Sequence, residues 1–122
     1  MGETLFKTIH LGQKILHFNM PMELVDEINL TYQNNIKDLK AHNQYLAGKI
    51  KDEHKIDDKL STNIKIYFEN CFRVYLIECK EMHNIKLVSA WVNEMKANEY
   101  NPMHYHKGNT GFGLSSVLIL KL

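Results

Sequence analysis

Ser89-Ala-Trp-Val-Asn-Glu-Met-Lys-Ala-Asn-Glu-Tyr-Asn-Pro-Met-His-Tyr-His-Lys-Gly108 is the stretch on which the reading of this chain turns. Lys86 to Lys96, which runs into its first half, is rich in Leu, Val, Trp and Met, as a strand buried on much of both faces would be. Leu87, Ser89, Trp91, Asn93 and Met95 would then share one face, because strand side chains alternate. Asn98 to Pro102 reads as a turn, with Pro102 holding Asn101 in extended backbone. A second strand would carry His104 and His106. Residues i and i+2 of a strand project to the same side, so two imidazoles would converge there. Imidazole is the commonest metal ligand, and the pair would make half of a metal site. Gly108, Gly111 and Gly113 leave room for a ligand, with Trp91 and Asn93 as one apolar and one polar wall group.

Upstream, the chain reads as scaffold. Gln13 to Met20, between Gly12 and Pro21, has a short apolar core and predicts a strand. Leu24, Ile28, Tyr32, Ile36 and Leu39 recur at helical spacing and predict a helix over 21–42. Ile64, Phe68, Cys71, Phe72, Tyr75, Cys79 and Met82 predict a second helix to about Met82, capped by Ser61 or Thr62. Between the helices, Lys49 to Lys59 is dominated by charge of both signs and reads as a solvated connection, with His54 as ordinary surface. Leu114 to Leu122 predicts a final apolar strand. The fold class expected is therefore α+β, with N-terminal helices packed outside a sheet.

The totals narrow the function. At 122 residues the length suits one domain, and a formal charge of +1 gives no electrostatic case for nucleic acid or an anionic membrane. No apolar run reaches the roughly 18 residues of a membrane span, and the N-terminus lacks the layout of a signal peptide. A cytoplasmic location is expected, or the host cytoplasm for a viral protein. Cys71 and Cys79, eight residues apart, would lie about 12 Å apart along one helix, too far for a disulfide. Leu114 to Leu122 is a bare apolar strand that invites self-association, or that belongs to a longer chain supplying more strands. The second of these is the expectation, with residues 1–122 the N-terminal portion of one larger domain.

At Trp91-Val-Asn93, Glu99-Tyr-Asn-Pro-Met-His-Tyr-His106, Gly108 and Ser115 to Leu122, the chain resembles the phage and marine bacterial branch of the Fe(II)/2-oxoglutarate-dependent oxygenases. Leu46-Ala-Gly48 followed by Glu53 is similar to the linker of viral members. The resemblance implies a double-stranded β-helix (jelly roll), here partial, with helices packed outside. It implies Fe(II) and the small-molecule cosubstrate 2-oxoglutarate as cofactors, His104 and His106 as metal ligands, and Asn93 as a contact to cofactor or substrate. The substrate is not implied.

In prolyl-hydroxylase-like relatives the second ligand position holds aspartate; here it is His106, so the 2-His-1-carboxylate triad is not present as written. The later histidine and the basic 2-oxoglutarate anchor have no counterpart before Leu122, and Arg73 is not in a matching position. Cupins also carry His-x-His on a jelly-roll strand, but Thr110 and Gly111 stand where their glutamate belongs. The alternative expectation is a non-catalytic jelly-roll binding or structural module, such as a viral protein that keeps the fold without the chemistry.

Overall fold

The computed structural model describes residues 5–41, 50–101 and 113–121. Among these, two α-helices and two antiparallel two-stranded sheets make a mixed α+β chain. Two compact units divide it: residues 1–28 with 61–87, and residues 29–60 with 88–122.

In the first unit, β1 (Phe6–Leu11) and β2 (Gln13–Phe18) form a hairpin in register from Phe6 opposite Phe18 to Leu11 opposite Gln13. The reversal rests on Gly12, whose φ of +83° lies in the left-handed region that glycine enters without a Cβ clash. The predicted strand is thus present, and β1 is an addition to it. Helix α1 (Met22–Asn35), of which residues 22–28 belong to this unit and 29–35 to the other, starts on the carbonyl of Pro21, which accepts from Leu24 and Val25. Its Val25 and Ile28 are buried.

Helix α2 (Thr62–Glu78) is capped by Ser61, whose Oγ accepts from the Ile64 N–H at 3.3 Å and satisfies one donor of the open first turn. Ile64 and Leu76 bury its apolar stripe. Three polar contacts dock β2 and the strand's exit to this helix. Tyr75 donates its hydroxyl to the Lys14 carbonyl at 2.9 Å, and Tyr67 donates to the Asn19 carbonyl at 3.3 Å. The Lys14 ammonium donates to the Glu78 carbonyl at 2.7 Å, a cation at the negative end of the helix dipole.

Both helices are shorter than the periodicity predicts. At the end of α1 the Asn35 amide donates to the Thr31 carbonyl at 2.8 Å, and the chain turns away over 36–38. At the end of α2, Lys80 takes a φ of +57°, the Glu81 N–H reaches back to Leu76 and the Lys80 N–H to Ile77. This is a Schellman closure with lysine in the position glycine usually fills. Cys71 and Cys79 are both free, as expected. Burial raises the Cys71 thiol pKa, with Tyr67 hydrogen bonding to it opposing the rise.

The second unit corrects the reading of the charged segment. The described part of it, residues 50–59, is not a solvated connection: it holds β3 (Asp52–Lys55) and a 3-10 turn (Asp57–Lys59), with Ile50, Ile56 and Leu60 buried around them. Strand β3 pairs with β4 (Trp91–Glu94), and Ala41 bridges to His54 on the other side. The charges are matched locally, Asp52 with Lys96 at 2.8 Å and Lys55 with Asp57 at 3.9 Å, so they do not demand full solvation. The strand predicted over 86–96 is confined to Trp91–Glu94. Leu114 to Lys121 carries no strand, contrary to the expectation for 114–122, because the segment has no ladder partner among the described residues. Val117 there is 92% exposed.

Candidate functional site

The β3–β4 pair is the part of the expected site that the structure describes. Directly opposed residues of an antiparallel pair share a face. Glu53 stands opposite Asn93 and Lys55 opposite Trp91 on one face. Asp52 opposite Glu94, and His54 opposite Val92, occupy the other.

On the first face, Asn93 is exposed and Trp91 half-buried, whereas Glu53 is only 1% exposed. The polar wall residue expected from sequence therefore has a buried carboxylate as its cross-strand neighbour. Glu53 was hidden in the sequence by the charges around it. The usable signal was the spacing of Ile50, Glu53 and Ile56, which brackets a short structured element.

The second face meets the last turns of α1. The Tyr32 hydroxyl donates to Glu94 Oε2 at 3.3 Å, and the Tyr32 ring lies 6.2 Å from the His54 ring. Burial, then the Glu94 carboxylate, push the Tyr32 phenol up to about 12. His54 is half-buried rather than ordinary surface, and its Nδ1 is buried with no hydrogen-bond partner among the described residues.

At the sheet end, hydrogen bonding from Lys96 holds the Asp52 carboxyl below its ordinary range, and Asp52 in turn raises the Lys96 amine. Each shift fixes a sign. The depressed Asp52 adds stability above the unfolded carboxylate pKa and loses it as pH falls through the folded value. The raised Lys96 adds stability below the unfolded lysine pKa and loses it as pH rises through the folded value. Asp52→Asn should therefore flatten the acid limb of a stability–pH profile, and Lys96→Met the alkaline limb. Chemical denaturation across pH checks this. The effect is small because Lys96 is exposed and Asp52 only half-buried, so solvent screens the pair.

His104 and His106 lie outside the described residues, as do Gly108 and Gly111. Among the described residues there is no group of three or more His, Cys, Asp or Glu side chains placed to hold a metal ion. A concavity of about 210 Å³ elsewhere in this unit is lined by Asp38, Leu39, Lys40, Lys55, Asp58 and Lys59. Its mixed charges select no single ligand sign. No helix among the described residues is long and apolar enough to cross a membrane.

Comparison with protein-family models, characterised proteins and solved structures finds no match to this chain.

Proposed function

We propose that this chain carries part of an Fe(II)/2-oxoglutarate-dependent dioxygenase (a hydroxylase), built on a partial jelly roll with the helices packed outside. The observation that carries the reading is the His104-Tyr-His106 spacing a short distance after Trp91-Val-Asn93. His104 and His106 hold the iron as neutral imidazoles, and the Asn93 amide contacts cosubstrate or substrate. When bound, iron with 2-oxoglutarate supplies oxygen-dependent hydroxylation of a C–H bond. The chain's own share is to orient two nitrogen donors and keep them deprotonated. Metal binding therefore competes with protonation of the two imidazoles.

A second reading, a jelly-roll module that binds without catalysis, is favoured by one feature: His106 stands where the related enzymes place a carboxylate. Anaerobic titration with Fe(II) and 2-oxoglutarate separates the two. The oxygenase reading expects a weak visible charge-transfer band that disappears in His104→Ala and in His106→Ala. A protein that develops no band and binds no iron is the non-catalytic module.

A further inference from the structure

Leu114 to Lys121 has the composition of a strand and no ladder partner among the described residues. It reads Leu-Ser-Ser-Val-Leu-Ile-Leu-Lys, without proline or glycine, and its one charge is that of Lys121. Short apolar segments of this kind pair with another strand when they are left exposed. Exposure alternates along it. The even positions are half-buried apart from Ser116, and the odd positions are exposed, Val117 at 92% and Ile119 at 66%. Two β-branched side chains therefore stand on one outward row, with Ser115 at one end of it and Lys121 at the other.

This row is complementary to itself. In an antiparallel pair, directly opposed residues share a face. Two copies of the segment crossing at Leu118 set Val117 opposite Ile119 twice, and Ser115 opposite Lys121 twice. A crossing at Val117 would set Ile119 against Ser115, and one at Ile119 would set Val117 against Lys121. Parallel pairing in register would bring the two lysines together, and like charges directly opposite repel. The crossing at Leu118 matches apolar to apolar and leaves each ammonium opposite a neutral hydroxyl. Register follows such a pattern, because a slip of one residue turns the whole row to the other face.

We propose that Leu114 to Lys121 is an interface for a second copy of this chain, paired antiparallel about Leu118. The contact is isologous, one patch used twice about a two-fold axis. It supplies the neighbour that a strand of this composition requires. A single strand pair is a small contact beside the roughly 1,200–2,000 Å² of standard interfaces, so the dimer is weak and concentration-dependent. The pairing is independent of the iron-site reading.

Sedimentation velocity over a concentration series tests this on the 122-residue chain, Val117→Lys, Ser115→Glu, Ser115→Lys and the double variant Ser115→Lys/Lys121→Glu. The wild-type chain should pass from monomer to dimer. Val117→Lys removes both Val–Ile pairs and should raise the dissociation constant by about 10-fold or more. At so exposed a position it should leave the circular dichroism of the monomer unchanged. Ser115→Glu sets a carboxylate opposite each Lys121 and should tighten the dimer by about 2–5-fold, while Ser115→Lys should loosen it by a like factor. The double variant restores an attractive pair and with it the dimer, which a folding defect would not do. A chain that stays monomeric at every concentration, or that grows into open-ended assemblies, overturns the interface. A dimer unmoved by Val117→Lys, or loosened by Ser115→Glu, overturns the antiparallel pairing about Leu118.

Discussion

Ile64→Ala should lower the unfolding free energy by about 2–5 kcal/mol, the range for truncating a buried isoleucine. Ile64 is 0% exposed, on the first turn of α2, directly above the Ser61 cap. Alanine keeps the helix and the cap, so the loss is one of packing: the apolar atoms removed and the cavity left behind. Among the described residues, Leu76, Val25 and Ile28 are the other buried apolar side chains of this unit, a short roster for absorbing such a void. A small domain has about 5–15 kcal/mol in all. Urea unfolding followed by circular dichroism should show the midpoint fall with an unchanged slope. Ile66→Ala, at a position 44% exposed on the same helix, is the matched control and should cost much less. Equal small effects at both positions would mean that α2 does not bury the face described here.

Glu53→Lys should be at least as damaging, costing more than about 3 kcal/mol, because it sets a charge of opposite sign where a carboxylate is almost wholly buried. Glu53→Gln keeps the shape and removes the charge, so the difference between the two variants isolates electrostatics from volume. Amide hydrogen exchange gives the local readout. In Glu53→Lys the β3 and β4 amides should lose protection together, since they share one ladder. Tolerance of lysine at this position would return residues 49–59 to the solvated connection that their composition suggests.

That segment marks the boundary of what was legible in advance. Strand β2 and both helices are visible as apolar periodicity, and Ser61 was a recognisable cap. Their ends were not visible, because they depend on local hydrogen bonds. Asn35 turns back on Thr31, and Lys80 performs a closure for which glycine is the usual signal. Strand β3 was missed because Asp-Glu-His-Lys contains no apolar residue. Its stability comes from the ladder to β4, the flanking Ile50 and Ile56, and charge partners remote in sequence. Leu114 to Lys121 failed in the opposite direction. Its residues favour a strand, but strand structure requires a neighbour, and none lies among the described residues.

Of the expected site, Asn93 is found on a strand as predicted, exposed and paired with Glu53. Glu53 and the hydrogen bond from the Lys51 N–H to Glu99 became visible only once β3 and β4 were side by side. Neither could be read from spacing, since 40 or more residues separate the groups they bring together.

The most direct test of the iron-site proposal is X-ray absorption at the iron edge of the anaerobic Fe(II)-loaded chain. Imidazole rings scatter in a pattern that counts them. The proposal predicts two imidazoles on the iron in the wild-type chain and one fewer in either His104→Ala or His106→Ala. An iron shell of oxygen donors alone, unchanged by either substitution, would contradict it.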